Sequence, residues 1–138
     1  MPRHYLRHVQ EPGQTVNPLF NTLGVRVEHI GADRAVLCMD VDERHIQGAG
    51  VAAGGILATL LDEAMAHAVI ATLDNGDATA TVDMSVRFLR PVKRGDAVRA
   101  EARVLRRGGR IIHVEADVLL PNGDIAARGA ASFIVNGR

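Results

Sequence analysis

The chain has 138 residues, 47% of them apolar, enough to build one hydrophobic core. Its 16 Lys and Arg balance 16 Asp and Glu, so no net field draws it to nucleic acid or to an anionic membrane, and zero net charge favours self-association. One cysteine, Cys38, excludes an internal disulfide framework and any metal site built from several cysteines.

Residues 1–16 lack sustained periodicity and read as a loose arm ahead of a single domain over 17–138. The arm has no apolar signal-peptide core, so the cytoplasm is the expected location. His4 and His8 stand at helical spacing within it, but lone histidines in such an arm are expected to be solvated rather than metal-bound. Asn17-Pro18 reads as a cap and first helical position for a short helix ended by Gly24. The period then changes to two. Val25 to Ile30 and Arg34 to Val41 form a hairpin around Gly31-Ala32-Asp33, with Ala35, Leu37, Met39 and Val41 on one face. Asp42 to Val51 is a loop.

From Ala53 to Thr72 the sequence is rich in Ala, Leu and Met, without proline, and apolar almost all round a helix. Such a helix must be buried. Asp62, Glu63 and His67 in its middle argue against a membrane span and have to be paired or used. The helix stops at Asp74-Asn75-Gly76-Asp77. A strand follows with Ala78, Ala80, Val82, Met84, Val86 and Phe88 on one face. Two more strands run through Val98 to Val104 and Arg110 to Leu120, and Asn122-Gly123 turns the chain into the last, Ile125 to Val135. Six strands and one long helix predict an α+β fold, with the four strands after the helix forming an antiparallel meander curved around it.

The helix carries chemistry at two places. Its start, Gly54-Gly55, offers free N–H groups and the positive end of the helix dipole to a developing negative charge; equally, paired glycines permit a tight turn against a strand. Two turns further on, Asp62 has no partner at helical spacing except Thr59, and Glu63 lies ~100° round the helix, so only one of the two carboxylates can face a given site. Thr59, Glu63 and His67 form an i, i+4, i+8 row in which Glu63 and His67 are candidates for an ion pair.

The run Gly50-Val51-Ala52-Ala53-Gly54-Gly55, followed by Leu57, Leu60 and Asp62 and then by Val82-Asp83-Met84 and Phe88-Leu89-Arg90-Pro91, resembles the hotdog-fold acyl-CoA thioesterases of the phenylacetate-degradation type. The resemblance extends from Asn17 to Val135. It implies a central helix wrapped by the sheet, a homodimer as minimal active unit assembling to a homotetramer, sites between subunits, an acyl-CoA substrate, and neither cofactor nor metal. Carried over residue by residue, it implies that the Gly54 N–H polarises the thioester carbonyl, with Gly55 beside it, and that Asp62 is the helix carboxylate, acting as general base or as nucleophile. Gln47 stands where the family often has Asn, Thr81 matches the Ser or Thr that helps hold the attacking water, and Ala53 replaces the usual His. Arg90, Lys93 and Arg94 are candidates for the coenzyme A phosphates, as are Arg106, Arg107 and Arg110. Two other functions use the same fold: a hydratase, of whose paired His and carboxylate His67 near Glu63 is the nearest imitation, and a non-catalytic acyl-CoA-binding protein.

Overall fold

The computed structural model describes residues 2–136. Helix α3, Gly54–Ile70, is the centre of the molecule. Its Leu57, Leu60, Leu61, Ala64, Met65, Ala68 and Val69 are all buried, and it packs against every one of the six strands. No helix among the described residues is long and apolar enough to cross a membrane.

The strands are β1 (Val25–Gly31), β2 (Arg34–Asp40), β3 (Ala78–Phe88), β4 (Ala97–Arg107), β5 (Ile111–Leu119) and β6 (Ile125–Asn136). They form one antiparallel sheet in the order β1-β2-β4-β5-β6-β3. The sheet lines its inner face with Ala35, Leu37, Met39, Val98, Ala100, Ala102, Ile112, Val114, Ala116, Ala127, Ala131 and Phe133, all buried against α3. Small residues on β4 and β6 let the helix sit close: at Gly129 a Cβ would come within 3.4 Å of Leu61 and 3.5 Å of Met65. This is the α+β hotdog arrangement, a long helix held in a curved antiparallel sheet.

Three expectations change. The four strands after the helix are not one meander: β4, β5 and β6 are consecutive neighbours, but β3 crosses to the far edge and pairs with β6. As an edge strand, β3 is largely exposed, with Val82 57% and Phe88 54% accessible. Its inward face also switches partway along. Residues directly opposite in an antiparallel pair share a face, and the buried Val135, Phe133, Ala131, Gly129 and Ala127 of β6 stand opposite Thr79, Thr81, Met84, Val86 and Phe88. A β-bulge between Thr81 and Asp83 inserts Val82, so Thr79 and Thr81, not Ala80 and Val82, face the helix.

The arm expected to be loose is helical over Pro2–Val9, α1, with Pro2 and Val9 buried. The short helix α2, Pro18–Leu23, follows the sequence signal: the Asn17 side chain accepts from the Phe20 N–H, and Gly24 closes it in the left-handed conformation at φ 75°. Cys38 on β2 is half-buried and free.

Candidate active site

The first part of the site is the start of α3. A loop over residues 47–51 closes on itself through Gln47 N–H to Val51 O at 2.9 Å and Gly50 N–H to Gln47 O at 3.0 Å. Ala52 N–H then bonds Val92 O at 2.8 Å and Ala53 N–H bonds His45 O at 2.9 Å, which pins the chain as the helix begins. Ala53 is the N-cap and supplies no side-chain acceptor. The carbonyl of Ala53 accepts from Ile56 and Leu57, while among the described residues the Gly54 and Gly55 N–H groups have no acceptor. Two amide donors and the positive end of the helix dipole are thus left free at the helix start.

Gly54 opens into a cleft of about 400 Å³ that it lines with Val51, Ala52, Leu57, Phe88, Leu89, Arg90 and Pro91. A second cleft of about 410 Å³ shares Arg90 and Pro91 and continues past Lys93 to Pro121 and Asn122. Together they make an open trough from the helix start to a basic end. Arg90 is anchored there by donating to Ile125 O at 2.8 Å and lies 3.7 Å from Asp124. The Lys93 ammonium has no acidic partner among the described residues. Arg94 is committed to an ion pair with Glu43. The other basic group, Arg106, Arg107 and Arg110, sits at the β4–β5 turn, where Arg110 O accepts from Val135 at 2.7 Å. That places it beside the start of β3, whereas the trough lies at its end, ~30 Å along the strand.

The second part is Asp62. The Thr81 hydroxyl donates to its Oδ1 at 2.8 Å, a contact made possible by the bulge that turns Thr81 inward. Thr59, the partner expected from helical spacing, instead bonds back to Gly55 O at 2.9 Å. Asp62 does not line the Gly54 cleft; eight residues along a helix put the two backbones about 12 Å apart. Gln47 is brought to neither part, because its side-chain oxygen accepts from the Ala49 N–H within its own loop.

Glu63 and His67 do not pair through their side chains. The Nδ1–H of His67 donates to the Glu63 carbonyl at 2.6 Å, and its Nε2 accepts from the Tyr5 hydroxyl at 2.7 Å. Asn17 in turn donates to the Tyr5 oxygen at 2.8 Å. Burial holds the His67 ring below the ordinary histidine range. The Glu63 carboxyl is pushed above the usual range by burial and by the adjacent Asp62 charge, with a bond from Asn17 pulling it partly back. This network joins α1, the start of α2 and α3. The sequence showed Asn17 as a cap, but neither Tyr5 nor the far side of His67 carries a local signal, since the partners are 62 residues apart.

The model of the thioesterase superfamily matches residues 49–127, which contain the helix start, Asp62, Thr81 and the trough. Human acyl-coenzyme A thioesterase 13 is 31% identical over 96 residues, 68% of each chain. Among solved structures, the E. coli PaaI protein of the phenylacetic acid degradation operon superposes with a TM-score of 0.82 at 24% identity, over 88% of this chain and 86% of its own. A thioesterase of Haemophilus influenzae superposes with a TM-score of 0.81 at 25% identity, over 86% and 82%. With the family model covering more than half of its residues, this chain belongs to the thioesterase superfamily, as a thioesterase built on the hotdog fold.

Proposed function

We propose that the protein hydrolyses acyl-coenzyme A, with the thioester carbonyl at the Gly54 N–H and the nucleotide end of the substrate toward Arg90 and Lys93. The observation that carries this reading is the trough itself: the free Gly54 amide donor at one end, an open apolar stretch, and at the other a Lys93 ammonium with no acidic partner among the described residues. An acyl thioester on a pantetheine arm has that same sequence of chemistry. Asp62 removes the proton from water as the oxygen adds to the carbonyl, Gly54 and Gly55 amides take the charge of the tetrahedral oxyanion, and the departing thiolate recovers the proton as the C–S bond breaks. Thr81 holds one carboxylate oxygen and leaves the other for water. A direct attack by Asp62 on the carbonyl uses the same placement.

The distance between Gly54 and Asp62 supports a site shared by two subunits. Strand β3 leaves one edge open and exposes Val82 and Met84 along it, so pairing of two β3 edges about a two-fold axis would continue the sheet and set the α3 helices antiparallel. Each Gly54 then approaches the partner's Asp62. The resemblance to acyl-coenzyme A thioesterase 13 supports the substrate class.

The test is thiol release across short, medium, long and aryl acyl-coenzyme A. Turnover of at least one, lost by ~10²-fold or more in Asp62→Asn with the melting temperature retained, is the expected result. If Asp62→Asn turns over at the wild-type rate, another group is the base.

A further inference from the structure

Resting on the acyl-CoA thioesterase reading, we propose that Phe88 is a positioning residue of the hydrolytic site, its ring forming the wall that seats the thioester carbonyl against the Gly54 N–H.

The two glycines at the helix start are not equivalent. Neither has the left-handed backbone that would demand glycine. A Cβ on Gly55 would meet nothing within 4 Å. A Cβ on Gly54 would lie 3.2 Å from Cζ of Phe88, 3.4 Å from Cε1 and 3.6 Å from Cε2. The ring therefore rests against the bare Cα of Gly54, and a Cβ there would push the phenyl group aside, a constraint set by the ring and not by the turn of the chain.

Phe88 is no core residue. It is 54% exposed and stands at the end of β3 opposite Ala127, on the face that the bulge has turned toward α3. A large apolar ring left half in solvent costs free energy, and here it lines the same cleft as Gly54, whose N–H is free. There it covers one side of the Gly54 donor. Water excluded from that side leaves the amides to a ligand oxygen and lowers the local dielectric, which strengthens their hold on a developing oxyanion. A rigid ring also limits the directions from which a carbonyl can approach, so it acts on geometry in the transition state more than on substrate affinity.

A double-mutant cycle tests the role. Phe88→Ala is expected to lower kcat by about tenfold or more, with KM changing less. Phe88→Leu, which keeps an apolar wall without the flat ring, should fall between. Gly54→Ala forces the ring aside and is expected to lower kcat about tenfold in the wild-type background, but less than twofold in the Phe88→Ala background, because the group it displaces is already gone. Melting temperatures separate misfolding from misplacement, and Phe88→Leu carries the test if Phe88→Ala does not fold. Additive losses from Gly54→Ala and Phe88→Ala, or an unchanged kcat in both Phe88 variants of a protein that turns over normally, overturn the role and leave the thioesterase reading standing. A folded wild-type protein that releases no thiol from any acyl-coenzyme A overturns that reading and the role with it.

Discussion

Asp62 and Glu63 are consecutive carboxylates in opposite situations. Asp62 faces the β3 edge with a hydroxyl donor on it; Glu63 turns toward the α1–α2 side, where burial and the neighbouring charge make ionisation costly. Glu63 has its folded pKa raised above the ordinary 4.5. Between those two values the folded state holds more protons than the unfolded one, so this group's stabilisation is complete below 4.5 and is lost as pH rises through the folded pKa. His67 is shifted down from 6.5. Below 6.5 the unfolded chain binds the proton first, so stability falls as pH drops from there. Glu63→Gln removes only the first dependence. Relative to wild type its melting temperature should rise as pH increases from 4.5 through the folded pKa of Glu63 and level off above it, while thiol release stays near wild type. A margin that shows no rise at any pH above 4.5 would show that the fold does not raise the Glu63 pKa. Tyr5→Phe tests the same network from its other end. It leaves the buried Nε2 of His67 without its donor and should cost about 1–3 kcal/mol in urea denaturation.

At the level of elements, β3 decides which side chains reach the helix. Its sequence alternates cleanly, so a plain strand would place Ala80, Val82 and Met84 inside and Thr81 outside. The bulge at Val82 breaks that alternation and gives Asp62 its hydroxyl. Thr81→Val is therefore expected to lower kcat by about tenfold, and adding Val82→Thr should not restore it, because residue 82 sits out of the ladder with its side chain 57% exposed. Rescue by Val82→Thr would mean that the strand runs without the bulge. The regular stretches of β2 and β4 are free of this complication, although β1, β4 and β5 have irregularities of their own at Val27/His29, Val104/Arg106 and Val118/Leu119. Ala35, Leu37 and Met39 on β2 and Val98, Ala100 and Ala102 on β4 are buried as their alternation predicts, since period two persists wherever the ladder is regular. The apolar run of α3 likewise required burial on all sides. What local pattern could not show was strand order: β3 and β4 are consecutive in sequence and separated by two strands in the sheet, and nothing in the connecting residues fixes which edge a strand joins. Nor could it show that the arm is helical, because α1 is held by Tyr5 reaching His67 across the fold.

For the whole molecule, the same separation that was legible as spacing remains in the folded chain. Gly54 lies in the cleft with Phe88 and Arg90; Asp62 lies ~12 Å along the helix with Thr81. No side chain of one subunit joins them. If two β3 edges pair about a two-fold axis, each site takes its amide donors from one chain and its carboxylate from the other, and complementation reads this directly. Gly54→Pro removes a donor at the first residue of α3, where proline is tolerated and the half-exposed Phe88 ring is the group it meets. Asp62→Ala removes the carboxylate. Each variant alone should be inactive. After dissociation and equal mixing, half of the dimers are mixed, and each mixed dimer has one site with both lesions and one with neither. About a quarter of wild-type activity should return. If both residues served one site within a single chain, every site in every mixture would carry one lesion, and activity would stay at background although mass spectrometry showed mixed dimers. Recovery near a quarter, proportional to the mixed-dimer fraction as the mixing ratio is varied, is the outcome that the open edge of β3 and the length of α3 together require.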